Sequence, residues 1–120
     1  MMYDFIQTYC LGKAATEEEY KADWDAILYK VGGKMFALIG NDALGQPVIS
    51  VKLDPDFSFE LREHYPDITP GYHLNKTHWS SLNLNGNVPA EVLKQMLDQS
   101  YQLVVRGMSK KKQQELSLGL

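Results

Sequence analysis

Two adjacent glycines constrain the fold of this chain more than any other feature of its sequence. Ile27, Tyr29 and Val31 recur at every second position, and after Gly32 and Gly33 a mostly apolar, extended run occupies residues 34–39. Two such runs joined by two glycines predict a β-hairpin, because a tight hairpin turn needs positive φ angles that glycine adopts without steric cost. We therefore expect the chain to build its core on antiparallel strands.

The rest of the sequence divides into segments with strand-like or helix-like periodicity. In chain order, the predicted elements are a helix over residues 2–11, strand-like alternation over 20–31, strands over 34–39 and 47–53, a helix opened by Asp54-Pro55 and ended by Pro66, a strand over 79–84, and a long helix from Pro89 to Met108. Residues 110–116 are expected to extend that last helix as a polar tail. Because no strand–helix–strand alternation occurs, the predicted class is α+β with a mainly antiparallel sheet and helices at both ends.

Length and composition indicate a single domain spanning residues 1–120. Hydrophobic residues make up 44% of the chain, which is enough for one core. No apolar run approaches the roughly 20 residues that cross a bilayer, no signal peptide is visible, and the lone Cys10 excludes an intramolecular disulfide. We expect a cytoplasmic protein without a membrane partner.

The charge balance argues against strong, non-specific binding to nucleic acid. The formal net charge is −3 and the sequence pI is about 5.5, whereas proteins that neutralise many phosphates are normally basic over the whole domain. The charge is unevenly spread, because residues 1–30 are acidic and residues 88–120 are basic on balance. A local basic face is therefore compatible with the composition.

Residues 69–79 carry the densest set of candidate binding side chains and contain no acidic residue. The candidates are His73, Asn75, Lys76, His78 and Trp79. Asparagine and lysine hydrogen-bond base edges or phosphates, histidine donates to phosphate, and tryptophan stacks on an exposed base. A structural role fits as well, with Asn75 and His78 satisfying turn backbone and Trp79 filling the core. Lysine is rarely fully buried, so Lys76 is expected to face solvent or a ligand.

Lysines outside this stretch offer further contacts for phosphate. Lys34 follows the two-glycine turn and Lys52 lies on the polar face of a predicted strand, so both can place an ammonium group at a hairpin tip or on the sheet. Both positions also fit an ordinary solvated face. The densest basic cluster is residues 110–112 with Arg106 one turn before, and we interpret it mainly as complementing the dipole at a helix C-terminus.

Metal binding and catalysis find little support in the sequence. The histidines lack the spacing of a zinc site, and the acidic residues between Glu17 and Asp25 fit a solvated loop better than an iron site. Cys10 lies on the apolar face of a predicted helix, and no nucleophile elbow, phosphate-binding loop or dinucleotide fingerprint occurs. We expect a protein that is not an enzyme and that uses no metal and no cofactor.

Several segments together resemble the MmcQ/YjbR family of small proteins. They are the opening helix, Lys30 to Leu38, Ser50 to Pro55, residues 69–81 and Val88 to Tyr101. The resemblance implies a fold similar to that of the bacterial frataxin homologue CyaY, with one sheet and helices packed on a single face. It also implies DNA binding in a double-wing arrangement, in which hairpins and the sheet face approach the duplex. Residues 11–14 depart from the family, whose members commonly place Pro-Gly after the first helix.

The residues and the resemblance together favour a non-catalytic DNA-binding module. Its weak, salt-sensitive affinity would come from Lys34, Lys52 and Lys76, with hydrogen bonds from His73, Asn75 and His78. The alternative is a protein-interaction or small-ligand module that uses the same polar loop without nucleic acid, and the acidic pI favours that alternative. Oligomeric state stays open at this point.

Overall fold

The computed structural model describes residues 3–71 and 74–118, so Tyr72 and the candidate residue His73 lie outside the described residues. The helices are α1 (Ile6–Leu11), α2 (Pro55–His64), α3 (Ala90–Arg106) and α4 (Lys110–Glu115). The strands are β1 (Thr16–Lys21), β2 (Ala26–Val31), β3 (Lys34–Asn41), β4 (Pro47–Lys52), β5 (Ile68–Pro70) and β6 (Trp79–Asn83). The predicted α+β class is confirmed.

The six strands form one antiparallel sheet in the order β1-β2-β3-β4-β6-β5. The β2–β3 hairpin turns at Gly32 and Gly33, whose φ angles of 59° and 78° confirm the predicted glycine turn. The prediction of unbroken alternation over residues 20–31 was wrong at its centre. The chain leaves β1 through a 3-10 turn, Ala22–Trp24, and reverses at Asp25 with a φ angle of 47°. Those residues therefore belong to two neighbouring strands.

The hydrophobic core lies between one face of the sheet and the helices. Ile6 of α1, Leu61 of α2 and Leu93 of α3 join one buried cluster with Val51 and Leu82 from the sheet. Each such aliphatic side chain contributes about 1.5–3 kcal/mol when it is fully buried, so this cluster holds the helices on the sheet. Among the described residues, none of the helices combines the length and the apolar character that a membrane span requires.

An irregularity in β3 opens the sheet at one end. Tyr29 pairs with Ala37 but Lys30 pairs with Met35, so Phe36 is an extra residue in β3. A β-bulge of this kind bends its strand and interrupts the ladder of backbone hydrogen bonds. The strands β3 and β4 consequently diverge towards the β2–β3 turn.

A serine of α3 fills the gap where β3 and β4 diverge. The pairing of these strands stops at Ala37 and Val51. The Ser100 hydroxyl accepts a hydrogen bond from the Lys52 backbone N–H at 2.8 Å and donates one to the Phe36 carbonyl at 2.5 Å. One buried side chain therefore satisfies two main-chain groups, each of which costs about 1–3 kcal/mol when it is buried without a partner.

The C-terminal region folds differently from the prediction. Helix α3 ends at Arg106, and α4 starts after Ser109, whose hydroxyl accepts a hydrogen bond from the Lys112 N–H at 3.1 Å. A serine in this position is a strong N-cap, because it satisfies a backbone donor that the first helical turn leaves free. The prediction that residues 110–116 extend the long helix was therefore wrong.

Cys10 is expected to resist thiol reagents in the native protein. Its side chain is fully buried, and burial raises the pKa of its thiol to about 12. The thiolate that attacks alkylating reagents is therefore almost absent at neutral pH. Mass spectrometry after iodoacetamide treatment should show no adduct on the native protein and a single adduct on the protein in guanidinium chloride. Equally fast labelling of both would contradict the placement of α1 against the sheet.

Candidate nucleic-acid interface

The antiparallel register gathers basic side chains at one end of the sheet. The β2–β3 turn, the end of β4 and the start of β6 lie at that end, and they bring Lys34 and Lys52 there. The loop between β5 and β6 adds Lys76, and the C-terminal end of α3 adds Arg106, which lines a neighbouring cavity with Asp54 and Asp98. Residues that are far apart in the sequence thus share one region of the surface.

The C-terminal segment and α2 add further cations to this region. Met108 and Leu116, on either side of α4, pack so closely on Gly32 that a Cβ there would lie 2.8 Å from a carbon of each. This contact places α4 and its lysines next to the β2–β3 turn. Arg62 of α2 donates from its guanidinium group to the carbonyl of Lys76 at 3.2 Å. We call the whole set the basic end, and its members are Lys34, Lys52, Arg62, Lys76, Arg106, Lys110, Lys111 and Lys112.

The cations of the basic end have no carboxylate partner within residues 3–71 and 74–118. In that part of the chain, the ion pairs are Lys13 with Asp98, Lys30 with Glu19, and Lys94 with Glu91. The hydrogen bond from Lys30 also holds the pKa of Glu19 below its usual value. Lys21, the remaining cation elsewhere, lies over the ring of Trp24 at 4.3 Å. Eight of the twelve Lys and Arg residues thus belong to the basic end, where none of them forms an ion pair with another described residue.

Several carboxylates lie at the opposite end of the sheet. Asp25 and Asp42 lie in the connections β1–β2 and β3–β4, Asp67 precedes β5, and Glu91 lies in the first turn of α3. Carboxylates are not confined to this end, since Asp54 follows Lys52 closely and Glu115 belongs to α4. An anionic partner would be attracted at the basic end and repelled by the carboxylates at the opposite end.

A cavity opens in the middle of the basic end, where β3 and β4 diverge, and we call it the slot. Its volume is about 430 Å³. One wall is formed by Lys34 and Met35, the other by Lys52 and Trp79, and the floor by Leu103 and Val104 of α3. The bulge in β3 and the serine bridge from α3 create this opening. Three of the candidates predicted from the sequence are thus brought together.

The loop before β6 holds the other described candidates in a hydrogen-bonded turn. The side chain of Asn75 accepts a hydrogen bond from the Thr77 N–H at 2.9 Å. The ammonium group of Lys76 donates to the carbonyl of Gly71 at 2.9 Å. Asn75, Lys76 and His78 are all exposed. Asn75 therefore takes the structural role that the sequence allowed, while Lys76 and His78 lie at the surface of the loop that leads into Trp79 of the slot.

Replacing Gly71 with alanine is expected to destabilise the protein. The Gly71 N–H donates to the Trp79 carbonyl at 2.8 Å, and a Cβ at Gly71 would lie 2.7 Å from the Trp79 Cβ and 2.9 Å from its carbonyl oxygen. Since these atoms belong to or adjoin the backbone, the two segments must move apart. We expect the free energy of unfolding in urea to fall by about 2 kcal/mol.

Gly40→Ala is the matched control for this substitution. A Cβ at Gly40 meets its neighbours at ordinary contact distances of 3.6 Å and 3.7 Å. This variant should lose clearly less stability than Gly71→Ala. Equal losses would contradict the close approach of Gly71 to Trp79.

Sequence reasoning missed part of the basic end. Arg62 gives no signal in the sequence, because its place depends on the contact between α2 and β6. The sequence analysis interpreted Lys110 and Lys111 as complementing the dipole at a helix C-terminus. They instead lie in the first turn of α4, so this interpretation does not explain them. The serine N-cap before them is the signal that could have revealed a new helix. Within the described ranges, no three His, Cys, Asp or Glu side chains lie close enough together to hold a metal ion.

The sheet face opposite α3 carries a second cavity of about 500 Å³. Ala26, Leu38 and Val48 line it from the strands, and Trp24 and Leu74 line it from the flanking segments. The side chain of Trp24 is 55% exposed. This cavity has a mainly apolar lining and differs in its chemistry from the slot.

Comparisons with known proteins relate this chain to small bacterial proteins of similar length. A family model described as YjbR matches residues 11–103. The uncharacterized protein YjbR of Escherichia coli K12 is 33% identical over 108 residues, which cover 90% of this chain and 91% of that protein. The uncharacterized protein YbdF of Escherichia coli O157:H7 is 36% identical over 92 residues, which cover 77% of this chain and 75% of that protein.

Solved structures show the same fold. The crystal structure of Deinococcus radiodurans protein DR2400, with a DUF419 domain, aligns with a TM-score of 0.85 and 37% identity over 97% of this chain and 88% of that one. A crystal structure from Pseudomonas syringae aligns with a TM-score of 0.74 and 26% identity, covering 86% of this chain and 98% of that one. The family match, the sequence identities and the shared fold agree, and the chain belongs to the YjbR family.

Proposed function

We propose that the protein binds nucleic acid, most directly DNA, through the basic end. The observation that carries the proposal is the concentration of eight cations, without carboxylate partners in the described residues, at one end of the sheet. The electrostatic field of such a cluster attracts the regularly spaced phosphates of a nucleic acid, and the lysines then neutralise individual phosphates. The function is binding alone and involves no chemical step.

The acidic net charge does not by itself oppose this proposal, because several of the repelling carboxylates, among them Asp25, Asp42 and Asp67, lie at the far end of the sheet. The molecule measures 40 × 32 × 25 Å, whereas salt at about 0.1 M screens charges over about 10 Å. A phosphate at the basic end therefore interacts mainly with the nearby cations. We expect binding that is weak and strongly dependent on salt.

The candidate lysines and histidines contribute different kinds of contact with the nucleic acid. Lys34 is exposed and Lys52 is half-buried, and both bring a positive charge to the slot. Lysine contacts phosphate as a point charge without a strict geometry, so these contacts are independent of base sequence. His78 on the adjoining loop adds a hydrogen-bond donor, and His73 keeps its predicted role as a further one.

Fluorescence anisotropy of a labelled DNA duplex over a series of salt concentrations tests the proposal. The logarithm of the association constant should fall linearly with the logarithm of the salt concentration, with a slope of about −0.9 for each phosphate neutralised. A slope of about −3 or steeper is expected if Lys34, Lys52, Lys76 and the lysines of α4 share the contact. Absence of saturable binding at the lowest salt would overturn the proposal.

Binding of a small apolar ligand is the second candidate function, and the cavity opposite α3 favours it. Its volume of about 500 Å³ lies within the usual range for small-molecule sites, about 300–1,000 Å³. Titration with the apolar dye Nile red should enhance fluorescence if the cavity accepts such ligands. The variant Leu38→Trp should abolish the enhancement by filling the cavity, and no enhancement with the wild-type protein would remove this candidate.

A further inference from the structure

We infer that the slot holds one unstacked nucleobase, and that the protein consequently prefers single-stranded nucleic acid to an intact duplex. This inference rests on the proposed function and adds the class of nucleic acid. The observation behind it is that the slot and the cations that would contact the phosphates lie in the same place.

The walls and the floor of the slot match the two chemical parts of a nucleotide. Trp79 and Met35 on the walls, with Leu103 on the floor, offer an aromatic and apolar surface to the flat base. Lys34 and Lys52 stand on opposite walls, so their ammonium groups can contact the phosphates on either side of that base. The volume of about 430 Å³ is in the range of small-molecule sites, about 300–1,000 Å³.

The slot is already open in the free protein. The hydroxyl of Ser100 holds the backbones of Phe36 and Lys52 at a fixed separation through its two hydrogen bonds. Since Ser100 is fully buried in α3, the walls are tied to the helix that forms the floor. A preformed site avoids the entropy loss that would accompany closure around the ligand.

A base inside an intact duplex cannot use this site. Both of its faces are covered by neighbouring base pairs, and taking it out of the stack costs a few kcal/mol. A duplex therefore contacts the lysines only through its phosphates. A single strand offers its phosphates together with a free base, so it gains the contact with Trp79 as well.

The experiment compares three labelled probes of equal length by fluorescence anisotropy at one low salt concentration. The probes are a single-stranded oligothymidine, a duplex, and a single strand with the same phosphates but abasic sugars. The oligothymidine should bind about tenfold more tightly than the abasic strand, because stacking of one base on an aromatic side chain is worth about that factor or more. Equal affinities for the oligothymidine and the abasic strand, or tighter binding of the duplex, would overturn the inference and leave the proposed function standing. Absence of binding to all three probes would overturn both.

Two variants locate the base in the slot. Leu103→Trp fills the floor without altering any charge, and Trp79→Leu removes the stacking surface. In each variant, the ratio of the oligothymidine affinity to the abasic-strand affinity should fall towards one. Leu44→Trp is the control, because it introduces the same side chain as Leu103→Trp but at the opposite end of the sheet. Leu44 lies in the turn between β3 and β4 and is 84% exposed, so this variant should keep the wild-type affinity ratio. If Trp79→Leu is misfolded by circular dichroism, Leu103→Trp decides the test, and an unchanged ratio in a folded Leu103→Trp variant would overturn the inference.

Discussion

Replacing Lys34 and Lys52 together with glutamate is expected to lower the affinity for DNA about 100-fold at about 50 mM salt. Each lysine that contacts a phosphate releases counterions and adds about 0.9 to the salt slope, which amounts to roughly one order of magnitude in affinity at that salt concentration. The slope should therefore become shallower by about two as well. Both side chains lie on strand ends with no ion pair in the described part of the chain, so the fold should tolerate the change.

The double variant Lys21→Glu and Lys94→Glu is the matched control. It changes the net charge by the same amount, but both residues lie away from the basic end. Lys21 lies over the ring of Trp24, and Lys94 pairs with Glu91 at 3.8 Å. Its DNA affinity should fall far less than that of the first pair. Equal losses in the two double variants would show that net charge alone governs binding and would contradict a localised interface.

Ser100→Ala is expected to cause a large loss of stability, although it removes only one hydroxyl group. The change leaves the Lys52 N–H and the Phe36 carbonyl without their partner, and two buried main-chain groups left in this way cost about 3 kcal/mol together. Alanine is the better helix former, so the intrinsic propensity of α3 would rise and cannot account for a loss. The melting temperature should fall by roughly 10 °C, measured by differential scanning calorimetry.

Gln95→Ala in the same helix serves as the control, because residue 95 is exposed. Its melting temperature should stay close to that of the wild-type protein. A Ser100→Ala variant as stable as this control would mean that the serine bridge does not hold β3 and β4, and the slot would then lack its support.

Local signals predicted those parts of the fold that depend on neighbouring residues. Gly32 and Gly33 adopt the positive φ angles that the hairpin requires. Asp54 caps α2 by accepting a hydrogen bond from the Asp56 N–H at 3.0 Å, with Pro55 in the first helical position, as the sequence predicts. In each case one or two residues determine the local structure through a side-chain hydrogen bond or through the φ angles that they can adopt. Such structure can be predicted without knowledge of contacts between distant parts of the chain.

The misplaced strand boundary has a physical cause. Apolar residues take even positions from Tyr20 to Trp24 and odd positions from Ile27 to Val31, and the prediction passed over this change of phase. The break depends on Asp25, which adopts a left-handed backbone conformation that non-glycine residues enter only occasionally. The bulge at Phe36, in contrast, gives no signal in the sequence, because apolar residues surround it on both sides and no change of face can be detected.

The sequence indicated some residues of the candidate site, but neither Arg62 nor the shape of the slot could be predicted from it. Lys34, Lys52 and Trp79 were identified as separate chemical opportunities, since each is typical of a nucleic-acid contact. Their convergence needs the register of four strands and the approach of α3, which are long-range properties. Ser100 was not a candidate in the sequence, because its role follows from contacts with residues 48 and 64 positions away.

The most direct test of the account is a titration of ¹⁵N-labelled protein with DNA, followed by ¹H–¹⁵N correlation spectra. We expect saturable shifts of the backbone amides at Gly33, Lys34, Lys52 and Lys76, while the amides around the cavity opposite α3 stay in place. Shifts that concentrate at Ala26 and Leu38, or spectra that do not change at any DNA concentration, would contradict the basic end as a nucleic-acid interface.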